Sequence, residues 1–272
     1  MRSQTICVNF SHHGCNPFLR NQILIPDLHS LVNKDTMTTQ TSTNVTISAL
    51  SGGSFNAYLA APSTQPRAGI VLTQEVLGVN DNMRQTADDY AKAGYLVIVP
   101  DLYWRLEPGV QLDPENEKHW AKAIELFKAF DIDSGVEDLK ATLSFLRQYP
   151  SHTGKVGSVG FCMGGKLAYF MATRTDADAN VSYYGVDIDK NLAEATKIQK
   201  PLILHMSGND EYVSPSAQAT IQQKLKDNPL VTIYRYEGVS HGFSRVGSSA
   251  YRKEATELAG DRTLAFLEHH LG

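Results

Sequence analysis

Cys162 stands alone among glycines in the stretch Gly160-Phe161-Cys162-Met163-Gly164. A nucleophile flanked in this way, with a strand before it and a helix after it, is the pattern of a nucleophile elbow. The turn is so sharp that a β-carbon on either side would collide, and the reactive side chain is carried to the C-terminal edge of a sheet. The helix that begins at Met163 would aim the positive end of its dipole at the sulfur. Two other readings compete. Gly160 to Lys166 matches most of a phosphate-binding loop, but Leu167 stands where a Ser or Thr hydroxyl should hold magnesium. A free cysteine can also be a small buried hydrophobe.

A nucleophile of this kind needs an acid and then a histidine further along the chain. Asp210 follows the apolar run "PLILHMSG" (201–208), and His241 lies in "EGVSHGFSR" (237–245), between Gly238 and Gly242. The chain has nine histidines. His12, His13 and His29 lie in an irregular leading segment, His269 and His270 at the far end, His119 in a charged helix and His152 in a loop. His205, inside an apolar strand, reads as a core histidine. Only His241 follows the acid in a glycine-flanked loop at the correct edge. Cys162, His241 and Asp210 are therefore the candidate triad, by order, context and exclusion.

These residues need a frame that brings three distant loops to one edge. From residue 43 onward the sequence supplies it. "NVTISAL" and "SFNAYLAAP" alternate and are joined by "SGG", a hairpin signal. Runs at 69–74, 95–101, 155–161 and 201–208 are apolar throughout, as in strands buried on both faces, and 179–185 and 231–237 are weaker strand candidates. Helical periods fall near 81–93, 115–128, 133–148, 163–174, 214–226 and 249–269, with Ser214 as an N-cap before Pro215. Alternating strands and helices imply an α/β fold with a mostly parallel sheet. Residues 43–272 read as one domain. Residues 1–42 lack a helical or strand period and read as an irregular N-terminal extension, with Met37 as a candidate start and a pro-segment or targeting piece as the alternative.

Composition narrows the function. Hydrophobic residues make up 42% of the 272-residue chain and charged residues 20%, enough for a full core. The net charge of −4 is dispersed, with no basic patch for nucleic acid. No run approaches the roughly eighteen apolar residues of a membrane span. The three cysteines have no framework spacing, which fits a reducing, cytoplasmic setting. The expected partner is a small molecule rather than a nucleic acid or a membrane, for a monomer or weak oligomer.

At these residues the sequence resembles the dienelactone hydrolases, thiol members of the α/β-hydrolase fold. The resemblance runs from about residue 40 to the end. It rests on "QEVLGVN" (74–80), "GYLVIVPDLYWR" (94–105), "AFDIDSGVEDL" (129–139), "GKVGSVGFCMGG" (154–165), "YYGV" (183–186), "HMSGND" (205–210) and "SHGFSR" (240–245). It implies a central sheet of about eight strands flanked by helices on both faces. It also implies that Cys162 is the nucleophile, His241 the base and Asp210 its orienting acid. Glu75 would interact with the cysteine and help form the thiolate when substrate arrives; without the resemblance it would read as an ordinary strand-end carboxylate. The N–H groups of Met163 and Val76 would form the oxyanion hole, Tyr183 would be an active-site tyrosine, and Arg245 would bind a substrate carboxylate. A second arginine of the family falls, by ungapped counting, at Trp120, so the pocket here would carry a ring in place of a cation.

The nucleophile also constrains the substrate. A thiolate attacks an ester carbonyl readily but leaves as readily, so the intermediate goes forward only when the alcohol side is a good leaving group. Enol and aryl esters meet that condition. The expected activity is hydrolysis of enol-lactones or related activated esters with no metal or organic cofactor. The alternatives are a broader carboxylesterase acting on neutral esters, and an idle member of the fold that binds a ligand or senses oxidation through Cys162.

Overall fold

A computed structural model describes residues 40–272 except 151 and 153. The reading of residues 1–36 as an extension lies outside the described residues, as do Cys7 and Cys15. The first strand, β1, spans Thr41–Ser48, so regular structure begins two residues before the expected position 43. It is followed by β2 (Ser54–Ala61), β3 (Gly69–Thr73), α1 (Asp81–Lys92), β4 (Leu96–Pro100), α2 (Glu117–Ala129), α3 (Ile132–Arg147), β5 (Val156–Phe161), α4 (Met163–Arg174), β6 (Asn180–Tyr183), a 3-10 segment (Asp189–Lys197), β7 (Leu202–Ser207), α5 (Pro215–Leu225), β8 (Val231–Tyr236) and α6 (Lys253–Leu271).

The strands form one eight-stranded sheet in the order β1-β2-β4-β3-β5-β6-β7-β8. β2 runs antiparallel to β1 and β4, and all neighbours from β4 across to β8 are parallel. Every residue of β3, β4, β5, β6 and β7 is buried, because these strands are covered on both faces. Ile70, Leu72, Leu96 and Ile98 have no exposed surface, and each such side chain contributes about 1.5–3 kcal/mol through burial. β1, at the sheet edge, is mostly exposed.

The helix starts follow local chemistry. Asn80 accepts from the Met83 N–H at the head of α1, Asp131 from the Ser134 N–H at the head of α3, and Ser214 from the Ala217 N–H beside Pro215 at the head of α5. Among the described residues, two α-helices start without such a bond: α6, after Arg252, and, following the central strand, α4. Its N-cap is Cys162, which makes no side-chain capping bond and leaves the first N–H groups of the helix available.

Candidate active site

β5 delivers Cys162 to the C-terminal edge of the sheet in a strained conformation, φ 56° and ψ −115°. For a non-glycine residue this costs about 1–3 kcal/mol, which the surroundings must offset. They do so by close packing. A β-carbon on Gly160 would lie 2.0 Å from the Gly164 carbonyl oxygen, and one on Gly164 would lie 2.2 Å from the Thr73 carbonyl oxygen. Thr73 Oγ1 donates to that same Gly164 carbonyl at 2.9 Å, tying the end of β3 to the first turn of α4. The Cys162 N–H donates to the Tyr183 carbonyl at 3.0 Å, so β6 holds the elbow from its other side.

β7 and the loop after β8 supply the acid and the histidine. His241 Nδ1 lies 2.9 Å and 3.1 Å from the two carboxylate oxygens of Asp210. Asp210 Oδ1 also accepts from the N–H groups of Tyr212 (2.9 Å) and Val213 (3.1 Å), which fix the carboxylate before the ring is added. The ring is held edge-on between Tyr184 and Tyr212, each 4.9 Å from it by centroid. Burial disfavours the charged imidazole, but the sulfur of Cys162 and the Asp210 carboxylate outweigh it and hold the His241 pKa above its ordinary range. Nε2 is buried and has no aligned hydrogen-bond partner among the described residues, and Cys162 raises the proton affinity of the ring both by its charge and as a neighbouring hydrogen-bonding group.

The two residues the sequence assigns to separate tasks, Glu75 and Arg245, hold each other. Arg245 Nε donates to Glu75 Oε2 at 2.7 Å and Nη2 to Oε1 at 2.9 Å, a bidentate pair. Both side chains are buried, 5% and 6% exposed, so neither is compensated by water. The arginine fits there because Gly242 has no side chain: a β-carbon at Gly242 would be 3.0 Å from the guanidinium. The Trp120 ring lies on the same arginine, 5.7 Å from centroid to Cζ, and its Nε1 donates to the Pro114 carbonyl at 2.5 Å.

Met163 opens α4 directly after Cys162, and Val76 lies in the loop after β3. Tyr103, a fully buried residue that the sequence reading passed over, touches both: its hydroxyl donates to the Val76 carbonyl at 3.2 Å and meets Met163 Sδ at 3.6 Å. Tyr183 is placed otherwise than expected. Its hydroxyl is turned into the core, 2.6 Å from Thr263 Oγ1 and 3.1 Å from the Ala259 carbonyl. The tyrosine at the site is its neighbour Tyr184, whose hydroxyl is 2.8 Å from Ser244 Oγ and 3.4 Å from Glu75 Oε1. Tyr184 has φ 38°, so the strand alternation ends one residue before it, and its side chain, though buried, is directed to Glu75 and Ser244. His205 is the core histidine anticipated, with Nδ1 2.8 Å from the Tyr236 hydroxyl and Nε2 3.0 Å from Thr263 Oγ1. Burial lowers its pKa to about 3.

A cysteine held in a strained turn after the central strand, followed in chain order by an acid and a histidine, is the arrangement of the α/β-hydrolase fold. A profile described as the dienelactone hydrolase family matches residues 55–271. The chain is 39% identical over 223 residues to a carboxymethylenebutenolidase of Pseudomonas putida, covering 82% of this chain and 94% of that protein. It is 40% identical over 234 residues to a putative carboxymethylenebutenolidase of Azospirillum brasilense, covering 85% and 100%. The fold superimposes on the crystal structure of a putative dienelactone hydrolase from Klebsiella pneumoniae with a TM-score of 0.74, at 23% identity, over 85% of this chain and 99% of the other. The chain belongs to the dienelactone hydrolase family and is a hydrolase of carboxylic ester bonds.

Proposed function

We propose that this enzyme opens enol-lactones, or closely related activated esters, that carry a carboxylate, through a thioester on Cys162. The observation that carries the reading is the bidentate Glu75–Arg245 pair beside the triad. The arginine fork already holds a carboxylate, and a substrate carboxylate of the same geometry could take the place of Glu75. Separating a buried pair without replacement costs about 3–5 kcal/mol, so the exchange is favourable only for a ligand that brings its own anion. The freed Glu75 would then be available to the thiol of Cys162 and help pass its proton to His241, leaving thiolate and imidazolium when substrate is present. The relatives named carboxymethylenebutenolidase support the lactone class.

In the first half-reaction the Cys162 thiolate attacks the lactone carbonyl, and the oxyanion that forms is met by the N–H groups of Met163 and Val76. The intermediate collapses with cleavage of the ring C–O bond. The enolate oxygen takes the proton from the His241 imidazolium, leaving the acyl group on sulfur. Once the sulfur is a neutral thioester, it no longer raises the proton affinity of His241. The imidazole, still oriented by Asp210, can accept a proton from water. The resulting hydroxide adds to the thioester and the C–S bond breaks, returning the thiolate and releasing the acid. No step draws on a metal or an organic cofactor. A free thiol that must stay reduced supports a cytoplasmic setting.

Trp120 over Arg245 would favour acyl groups broader than a small unsubstituted ring, through contact with the indole face. One observation supports a second reading: Arg245 is already satisfied by Glu75, so a neutral aryl or enol ester could react with the pair intact. Kinetics of Arg245→Ala separate the two. For the anionic reading, kcat/KM for carboxylate-bearing lactones falls about tenfold or more beyond any loss that the missing Glu75 partner imposes on neutral aryl esters as well. Equal losses on both substrate types would reject it in favour of a structural role for Arg245.

A further inference from the structure

Between α1 and α6, with Phe161 of β5 in its wall, lies a cavity of about 100 Å³. Four rings line it, those of Tyr90, Phe161, Tyr183 and Tyr251. Two carboxylates, Asp89 and Glu257, stand among its lining residues, and no lysine or arginine does. None of Cys162, His241, Trp120 and Arg245 lines it either. The carboxylates are partnered by lysines outside the lining set: Lys92 Nζ is 2.7 Å from Asp89, and Lys253 Nζ is 3.4 Å from Glu257. Both lysine side chains are well exposed, 48% and 69%, so these pairs are screened by solvent, and Gln85 Nε2 also donates to Asp89 at 2.9 Å. Gly260, in the middle of α6, faces the same opening: a β-carbon there would meet no atom within 4 Å.

A glycine in a helix interior normally costs stability relative to a residue with a side chain. Here its absence of a side chain leaves space in a wall that carries four aromatic rings. Aromatic walls with carboxylates beside them attract an organic cation through both ring quadrupole and charge, and they repel an anion. We propose that this cavity is an accessory binding site for a small aromatic or alkyl ammonium compound, opposite in charge preference to the arginine-bearing active site. The proposal is independent of the reading of the triad, since no residue of the triad forms the cavity. Its wall nevertheless reaches the active site, because Ser244, which lines it, lies 2.8 Å from the Tyr184 hydroxyl beside His241.

Benzylamine, benzyl alcohol and benzoate share a ring and differ in charge, so they probe the site directly. Binding is measured by calorimetry on the full chain whose Cys162 has been alkylated with iodoacetamide, and the benzylamine complex is located by crystallography. The expected order is benzylamine over benzyl alcohol, with benzoate at least about tenfold weaker than benzylamine. Gly260→Leu should fill the cavity, raise or preserve the thermal midpoint, and weaken benzylamine by about tenfold or more. Glu257→Gln should reduce the preference for benzylamine over benzyl alcohol. Benzoate binding as well as benzylamine, unchanged affinity in a folded Gly260→Leu variant, or a ring found anywhere other than between Phe161 and Tyr251 would overturn the proposal. Should Gly260→Leu fail to fold, the charge order and the crystallographic position decide the matter.

Discussion

At the scale of single residues, the site divides into groups that announce themselves and groups that do not. Cys162, Asp210 and His241 can be read from the sequence because each sits at the end of a strand signal in a glycine-marked turn, and the structure brings Asp210 to 2.9 Å from His241. The pairing of Glu75 with Arg245 joins positions 170 residues apart, and no local pattern reports it. Tyr184 was missed for a local reason: it directly follows Tyr183, the last residue of β6, and which of the two reaches the site depends on a left-handed backbone at the second. Tyr103 carries a testable role as a positioning residue. Its hydroxyl links Val76 to Met163, whose N–H groups would hold the oxyanion. Tyr103→Phe keeps the ring and loses only that link, at about 1 kcal/mol of stability. The expected result is a fall in kcat of about tenfold with KM little changed, since the oxyanion exists only in the reaction. Alkylation of Cys162 by iodoacetamide, which forms no oxyanion, should keep its wild-type rate. An equal loss in both reactions would mean that the hydroxyl supports the elbow as a whole.

At the scale of elements, the buried strands were the most legible part of the chain, because β3, β4, β5 and β7 are apolar throughout and bounded by turn residues. Each helix was found within a few residues of its expected limits, and Ser214 and Pro215 start α5 as read. The 3-10 segment Asp189–Lys197 went unseen, since a single turn-like run with charged residues has neither helical nor strand period. The elbow itself depends on an approach between elements that composition only hints at. Gly164 of α4 lies so close to the end of β3 that a methyl group would meet the Thr73 carbonyl at 2.2 Å and the Gln74 carbonyl at 2.7 Å. Backbone on both sides cannot turn aside as a flexible side chain could. Gly164→Ala should therefore destabilise the fold by about 1–3 kcal/mol, and denaturant unfolding should show the loss. Unfolding at the wild-type midpoint would contradict the close packing of β3 on α4.

At the scale of the whole molecule, two buried histidines give stability opposite dependences on pH. His205 is neutral in the fold, with its pKa lowered to about 3 by burial. Its contribution is present above the ordinary imidazole value of about 6.5 and is lost as pH falls toward the lowered one. His241 behaves in the reverse sense. Burial opposes its charge, but Cys162 and Asp210 raise its pKa, so the fold retains a proton that the unfolded chain has released. That contribution is full below about 6.5 and is lost as pH rises through the raised value. The thermal midpoint should accordingly be highest near the ordinary imidazole range and decline on both sides. Cys162→Ala removes the sulfur that raises His241 and should flatten the alkaline decline while leaving the acid side unchanged. An alkaline limb identical to that of the wild type would show that the sulfur does not act on the imidazole.

The same pair decides the central claim, that ester hydrolysis passes through a thioester on Cys162. Rapid quenching of the enzyme with an aryl ester or enol-lactone, followed by intact-mass and peptide mass spectrometry, reads the intermediate directly. The account predicts an acyl group of the substrate's mass on the peptide containing Cys162, one per chain, that forms and decays at rates consistent with turnover. It predicts accumulation of that adduct in His241→Ala where acylation still occurs, because the proton acceptor for water is gone, and no adduct in Cys162→Ala. Full turnover with no acyl group on Cys162, or near-wild-type turnover in Cys162→Ala, would contradict it.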